Sequence, residues 1–378
     1  MSDTGTSSPA VSVLMPVYNG SRFLPAALAS VLAQTFRNFE LIAIDDGSTD
    51  GSSQILQEFA RRDTRIRVVR QDNQGIVASL TCALALARAP LVARMDADDI
   101  SRPDRFAKQV AFLERHPDIV TVSGAMDVID ENGVYLRTEA FPTLPESIAS
   151  ELLHRSCVSH PAVMARTTTL RSVGGYRTGA QYAEDYDLWL RISEIGKIAN
   201  LPDVLLSYRL HTVKISTRHY IEQELAVLAA RGAARLRRRG EPDPLAAPDA
   251  RLALGYRSLQ RIFADAVPRA EFGFSFFSTV LGKAAELGST AQWAKLYLRY
   301  GLWDLDNDGA AMMMLLLGHV MLRRRRSRAP LISLIPYPFW ALVTAAWHPI
   351  VALRIVFNTR HWRELARSRL LQPTAPSM

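Results

Sequence analysis

The sequence has little cysteine and no uninterrupted apolar run long enough to cross a membrane. Only Cys82 and Cys157 occur among its 378 residues, too few for a disulfide framework, which favours a reducing compartment. The first ten residues, MSDTGTSSPA, lack the basic and then apolar pattern of a secretory signal. Residues 331–357 are apolar but are interrupted by three prolines and an arginine, whereas a spanning helix needs about 20 consecutive apolar residues. These absences argue against a disulfide-rich secreted protein and a transmembrane protein.

Positive charge is concentrated in the second part of the chain. Residues 218–378 contain 23 Lys and Arg against 12 Asp and Glu, whereas residues 1–217 contain 22 against 25. Such asymmetry predicts either an acidic partner for the basic part, with anionic lipid as the first choice, or a solvated helical surface rich in arginine. No ordered recognition motif accompanies the charge, so we expect no nucleic-acid partner.

Apolar strands alternate with amphipathic helices from residue 11 onward. The run at residues 11–17 is nearly continuous, as expected of a parallel strand buried on both faces. The same alternation predicts strands at 41–44, 66–69 and 91–95 and helices at 22–33, 52–62 and 76–87. This succession predicts an α/β fold with a doubly wound, mostly parallel sheet and helices on both faces. Ligands of such sheets bind beyond the carboxyl ends of the strands.

The organisation changes near residue 217. Before it, the pattern predicts further helices at 104–115 and 186–195, strands at 119–128 and 204–210, and a hairpin turn at 131–133. After it, the composition is rich in Ala, Leu and Arg and shows no strand alternation. We therefore expect a disordered lead-in at 1–9, an α/β domain at 10–217, and a basic helical region at 218–378 that contacts membranes.

An acidic cluster, Asp45-Asp46-Gly47-Ser48-Thr49-Asp50, directly follows the second strand. A carboxylate pair at a strand end can accept hydrogen bonds from a nucleobase imide or from ribose hydroxyls. The competing interpretation is an ordinary turn whose polar side chains cap the next helix.

A second cluster, Asp96-Ala97-Asp98-Asp99, follows the fourth strand. Three carboxylates within four residues repel one another unless a cation lies among them. Carboxylate oxygens favour Mg²⁺ or Mn²⁺, and Mg²⁺ commonly also binds substrate phosphates. The alternative is a solvated acidic loop. The first acidic cluster, at the end of a neighbouring strand, favours the metal site over this alternative.

Two more polar clusters follow. Glu184-Asp185-Tyr186-Asp187 opens a helix, where acidic side chains either stabilise the helix N-terminus or face a cleft as a general base for a hydroxyl nucleophile. Tyr208-Arg209-Leu210-His211 closes the last strand, and alternation places Arg209 and His211 on one face. The histidine is either structural or a ligand for metal or phosphate.

These clusters, taken in order with the N-terminal Val11-Ser12-Val13-Leu14-Met15-Pro16-Val17-Tyr18-Asn19-Gly20, resemble the motifs of family 2 inverting glycosyltransferases. The resemblance covers residues 10–217, and it implies the GT-A fold. His160-Pro161, Gly174-Gly175-Tyr176 and Tyr208–His211 resemble the subgroup that builds bacterial surface polysaccharides.

The resemblance also implies a role for each site residue. Pro16, Val17 and Tyr18 would line the nucleotide pocket. Asp45 or Asp46 would contact the base, Asp96 would lie near the ribose, and Arg209 would neutralise the diphosphate. Asp98 and His211 would bind Mg²⁺ or Mn²⁺, and Asp185 would deprotonate the acceptor.

The resulting hypothesis is metal-dependent transfer of a sugar, with inversion, from a UDP-sugar to a hydroxyl of a saccharide or lipid-linked acceptor. The expected setting is cell-surface polysaccharide synthesis in the cytoplasm, at the inner face of the cell membrane. One alternative is a sugar-nucleotide nucleotidyltransferase, although the first strand ends without the Gly-rich loop typical of those enzymes. The other is a non-catalytic module that binds membranes or nucleic acid through the basic region.

Overall fold

A computed structural model describes residues 8–211 and 220–247, together with residues 259, 262 and 263. The chain divides into two compact units, Met1–Leu254 and Gly255–Met378, and the architecture below belongs to the first. Three parts of the chain lie outside the described residues: 1–7 of the expected lead-in at 1–9, residues 212–219, and nearly all of the basic region beyond 247. The domain boundaries therefore stay predictions.

Four parallel strands form the first half of the sheet, in the order β3-β2-β1-β4. They are β1 (Val11–Val17), β2 (Phe39–Asp46), β3 (Ile66–Gln71) and β4 (Leu91–Arg94). Helices α1 (Leu24–Leu32), α2 (Ser52–Arg62) and α3 (Ile76–Leu86) connect them. Every residue of β2 is buried, and its apolar run at 41–44 is what a central parallel strand requires.

Five further strands extend the sheet beyond β4 in the order β8-β6-β9-β5, with β7 paired to β6. They are β5 (Ile100–Ser101), β6 (Ile119–Ile129), β7 (Tyr135–Glu139), β8 (Met164–Arg166) and β9 (Lys197–Arg209). β8 is antiparallel to both β4 and β6, and β9 is parallel to β6. The expected hairpin is β6–β7, whose turn contains Gly133 at a positive φ of 89°. β9, which contains the strand predicted at 204–210, lies between β6 and the short β5.

Helices cover both faces of this sheet, which confirms the predicted α/β class. The remaining helices are α4 (Arg105–Arg115), α5 (Pro145–Glu151), α6 (Thr167–Ser172), α7 (Glu184–Ile192) and α8 (Tyr220–Arg238). One apolar layer joins β2 to α3, α7 and α8 through side chains such as Ile44, Leu80, Trp189 and Ala230. The other joins the opposite face to α1, α2 and α4. Within residues 8–211 and 220–247, none of the helices combines the length and apolar character needed to cross a membrane.

Candidate active site

The loops after β1 and β2 are fastened to each other at the carboxyl edge of the sheet. The backbone N–H of Asn19 donates to Ser48 Oγ at 3.1 Å, and Asn19 Oδ1 accepts from the N–H of Thr49 at 2.8 Å. The N–H of Ser21 donates to Asp50 Oδ2 at 2.9 Å. Tyr18, next to these bonds, leaves 56% of its surface exposed, whereas Val17 is buried and Pro16 half-buried. The structure thus places an exposed aromatic ring beside the first acidic cluster.

Asp45 and Asp46 are both buried and hydrogen-bonded within the protein. Asp45 accepts from the N–H of Ser48 at 3.0 Å and from the Ser53 hydroxyl. Asp46 accepts from Gln71 Nε2 at 2.7 Å and from two backbone N–H groups of the β3–α3 loop, those of Gln74 at 2.9 Å and Gly75 at 2.8 Å. The pair therefore shapes the loops around the strand end. Contact with a nucleobase by either carboxylate stays a prediction.

The second acidic cluster gathers three carboxylates whose oxygens lie within 4.8 Å of one another, those of Asp96, Asp98 and Asp99. Asp96 forms an ion pair with Arg94, and the buried Asp99 accepts from the N–H of Arg209 at 2.9 Å. Asp98 Oδ2 lies 2.7 Å from His211 Nε2. β9 ends at Arg209, two residues before His211. This strand therefore brings the last polar motif onto the loop of Asp96–Asp99, here called the acidic loop.

Phe23 supports this arrangement, although no motif in the sequence marked it as a site residue. Its ring centroid lies 5.1 Å from that of His211 and 4.7 Å from the guanidinium carbon of Arg209. The Arg209 Nε donates to the backbone oxygen of Asp98 at 2.9 Å. Arg209 therefore holds the acidic loop, and its expected contact with a diphosphate stays a prediction.

Two buried arginines lie beneath the acidic loop. Arg105 is fully buried and donates from Nη2 to the backbone oxygens of Arg94 at 2.8 Å and Val163 at 3.1 Å. Burial, reinforced by the charge of Arg94, lowers the pKa of Arg105 to about 9. Burial also acts to lower the pKa of Arg94, but the nearby Asp96 carboxylate outweighs it and raises that pKa above its ordinary value. Positive charge under the loop offsets the repulsion among its carboxylates.

Helix α7 presents an acid pair to the same region. Glu184 is 8% exposed, and its Oε2 has no hydrogen-bond partner among the residues that the structure describes. Burial, followed by the charge of Asp185, raises the pKa of Glu184 to about 7. Burial also raises the pKa of the half-buried Asp185, on which the charges of Arg94 and Asp96 act as well. A carboxylate with a raised pKa is suited to accept a proton near neutral pH.

His160 and Tyr176 form a buried pair against α7. His160 Nε2 lies 2.9 Å from Tyr176 Oη, and its ring meets Trp189 edge-on at 5.8 Å. Burial, together with the charge of Arg94, holds the pKa of His160 well below its ordinary value. The imidazole is therefore neutral and packs as part of the wall behind Arg94.

Comparison with known proteins places these motifs in a family. Residues 12–173 match the family described as "Glycosyl transferase family 2". The chain is 38% identical over 208 residues to the putative glycosyltransferase EpsE of Bacillus subtilis, covering 54% of this chain and 74% of that protein. It is 33% identical over 221 residues to the amylovoran biosynthesis glycosyltransferase AmsE of Erwinia amylovora, covering 57% and 82%. It is 31% identical over 205 residues to the O-antigen biosynthesis glycosyltransferase WbnJ of Escherichia coli, covering 53% and 80%.

A solved structure supports the fold. The crystal structure of S. aureus TarS 1–349 in complex with UDP-GlcNAc is similar with a TM-score of 0.53 and 18% identity, covering 82% of this chain and 80% of that one. At this identity the likeness concerns the fold, which is the GT-A arrangement that the motifs implied. With its ordered motifs, its acidic strand ends and relatives that it matches over more than two thirds of their length, this chain belongs to glycosyltransferase family 2 and is a transferase enzyme.

Proposed function

We propose that this enzyme transfers a sugar, with inversion and with the help of a divalent metal ion, from a UDP-sugar to a hydroxyl of a saccharide or lipid-linked acceptor. The observation that carries the proposal is the contact between the acidic loop and the end of β9, where Asp98 Oδ2 lies 2.7 Å from His211 Nε2. Glu184 and Asp185 of α7 lie in the same region. A UDP donor is supported by the fold similarity to TarS, whose structure holds UDP-GlcNAc.

The residues on the acidic loop fit a divalent ion. The oxygens of Asp96, Asp98 and Asp99 lie within 4.8 Å of one another, and His211 Nε2 lies 2.7 Å from Asp98 Oδ2, so these side chains could converge on one cation. The carboxylate of Asp98 is the kind of oxygen ligand that suits Mg²⁺ and Mn²⁺, and the imidazole of His211 would add a nitrogen ligand. Asp98 and His211 would hold the ion, which when bound supplies a Lewis acid for the charge that develops on the diphosphate leaving group.

The nucleotide would lie over the carboxyl ends of β1, β2 and β4. Pro16, Val17 and the exposed Tyr18 line the pocket, and Asp45 or Asp46 accepts a hydrogen bond from the base. Asp96, held by Arg94, faces the ribose. Arg209 lies beside the acidic loop, where its charge favours the diphosphate.

Asp185 would act as the general base. It removes the proton of the acceptor hydroxyl while the hydroxyl oxygen forms a bond to the anomeric carbon from the face opposite the nucleotide. The bond from that carbon to the diphosphate oxygen breaks, and UDP leaves with the electron pair. A single displacement of this kind inverts the anomeric centre and needs one base and no covalent intermediate.

The names of the relatives support the proposed acceptor and setting. Their names connect them with O-antigen and amylovoran biosynthesis, which supports synthesis of cell-surface polysaccharide. The excess of 23 basic over 12 acidic residues from 218 onward supports peripheral contact with the anionic inner face of the cell membrane. Cosedimentation with vesicles containing phosphatidylglycerol tests that contact, and a protein that stays in the supernatant at low salt would contradict it.

Substitution of Asp98 tests the metal assignment. Asp98→Ala should abolish transfer that wild type carries out with added Mn²⁺ or Mg²⁺, because the ion loses a carboxylate ligand. Asp118→Ala is the matched control, since Asp118 is an exposed acid that pairs with Lys197 at 3.0 Å. Full transfer by Asp98→Ala without added metal would overturn the assignment.

A further inference from the structure

Helix α7 is held near its start by a buried ion pair. Asp187, which is fully buried, accepts from Arg177 Nε at 2.8 Å and from Arg191 Nε at 2.9 Å. Arg177 uses a second nitrogen, Nη1, to donate to Asp243 Oδ2 at 2.8 Å. The start of α7 is thus connected to a residue beyond the end of α8.

The same connection returns to α7 at its other end. Asp243 Oδ2 accepts from Arg237 Nη1 at 2.7 Å. Arg237 Nη2 donates in turn to Glu194 Oε1 at 2.8 Å, two residues after α7 ends at Ile192. The path Asp187–Arg177–Asp243–Arg237–Glu194, here called the ion chain, therefore leaves α7 near its first turn and rejoins it just past its last.

The members of the ion chain are charged and largely buried. The side chain of Asp243 is 9% exposed, and those of Arg177 and Arg237 are each 16% exposed. Burial would raise the pKa of Asp243, but the charges and hydrogen bonds of Arg177 and Arg237 lower it below its ordinary value. Asp243 is therefore ionised at neutral pH. Removing one member would leave buried charges without their partner, which is costly in a medium of low polarity.

Helix α8 also contacts α7 directly. Arg231 Nε donates to Tyr186 Oη at 3.0 Å, and that hydroxyl donates to the backbone oxygen of Leu152. Ala230 and Ala234 of α8 lie in the same apolar layer as Trp189 of α7. The helix that carries Asp185 is thus fixed by residues that follow the last of the family motifs.

We propose that the ion chain positions Asp185 for catalysis, so that Arg237 and Asp243, which lie beyond the last family motif, support the active site. Arg177, Arg237 and Asp243 act as positioning residues. The proposal rests on the proposed role of Asp185 as the base. Asp185 lies two residues before Asp187 on the same helix, and a shift of about 1 Å at a reacting group can reduce turnover by about 100-fold.

Asp243→Asn tests the proposal because it removes the charge while keeping the shape of the side chain. We expect turnover per UDP-binding site to fall at least tenfold, with sites counted by titration with UDP in MnCl₂. The affinity for UDP should stay within twofold of wild type, since the loops after β1 and β2 are not part of the ion chain. Asp243→Glu, which restores the charge, should recover part of the loss.

A matched control and a second variant keep the test decisive. Glu241→Gln alters an exposed acid that lies 3.9 Å from Arg239, and it should leave turnover unchanged. Arg237→Lys retains a positive charge but cannot contact Asp243 and Glu194 at the same time, so it should lose turnover to a smaller extent than Asp243→Asn. It replaces Asp243→Asn as the test if that variant does not fold.

Two results would overturn the proposal. One is unchanged turnover per UDP-binding site in Asp243→Asn and Arg237→Lys, even with a lower melting temperature, because a purely structural role behaves in that way. The other is an equal loss of UDP affinity and turnover. Asp185→Asn separates this proposal from the proposed function, since full turnover in Asp185→Asn removes the base assignment whatever the effect of Asp243→Asn.

Discussion

Phe23 offers a sharp test of how the metal site is organised. Its ring lies 5.1 Å from the ring of His211, tilted by 39°, and 4.7 Å from the guanidinium carbon of Arg209. Phe23→Leu keeps an apolar side chain at the start of α1 but removes the flat face on which the histidine packs. We expect His211 to spend less time in the orientation that faces Asp98.

The size of the effect follows from the ring contact. An aromatic pair of this kind contributes about 0.5–1.5 kcal/mol beyond the burial of its area. Loss of that amount corresponds to roughly a 2- to 13-fold fall in an equilibrium constant. The Kd for UDP, measured by calorimetry in the presence of MnCl₂, should rise by this factor. With EDTA in place of the metal, Phe23→Leu and wild type should bind UDP alike.

A second ring pair provides the control. Phe112 and His116 lie 4.5 Å apart with a tilt of 37° at the end of α4, and none of the expected site residues belongs to that pair. Phe112→Leu should leave metal-dependent UDP binding unchanged. Unchanged UDP binding by Phe23→Leu in MnCl₂, or the same loss of affinity in both variants, would show that the Phe23–His211 contact does not organise the metal site.

Two further predictions concern the strand-end loop and the acid pair. A Cβ at Gly47 (φ 75°) would lie 2.9 Å from the backbone nitrogen of Asn73, whereas one at Gly51 (φ 97°) meets nothing within 4 Å. Gly47→Ala should therefore weaken UDP binding more than Gly51→Ala. Equal Kd values for UDP in the two variants would contradict this. Because burial raises the pKa of Glu184 from 4.5 to about 7, the stability that its proton contributes is lost as the pH rises through that interval. Thermal melting of Glu184→Gln should then gain on wild type between about pH 4.5 and pH 7, and a difference in melting temperature that does not change with pH would count against the raised pKa.

The sequence was sufficient for the parallel half of the sheet and for the positions of the acidic clusters. Continuous apolar runs identified β1 and β2, and the carboxyl ends of parallel strands meet at one edge. β9 was predicted too short, because Pro202 interrupts its pattern. At that point its pairing with β6 shifts register, from Leu201 opposite Gly124 to Val204 opposite Ala125. β5 was missed, since its two residues form too short a pattern to detect.

The supporting residues of the site could not be predicted in the same way. Phe23 and Arg105 act through contacts that exist only after the chain has folded, and neither belongs to one of the recognised motifs. Asp187 and Arg191 did carry a local signal, since an acid and a base four residues apart face each other on a helix. Asp243 lies beyond the last of the motifs, so no pattern indicated its link to Asp187.

Inverting transfer with Asp185 as the base is tested most directly by a transfer assay with radiolabelled UDP-sugars, Mn²⁺ and a lipid-linked saccharide acceptor, run on wild type and Asp185→Asn. We expect wild type to release UDP and to move the label to the acceptor with inverted anomeric configuration. Asp185→Asn should bind UDP normally and move no label. Transfer by Asp185→Asn at the wild-type rate would rule out Asp185 as the base, and a product with retained configuration would rule out a single displacement.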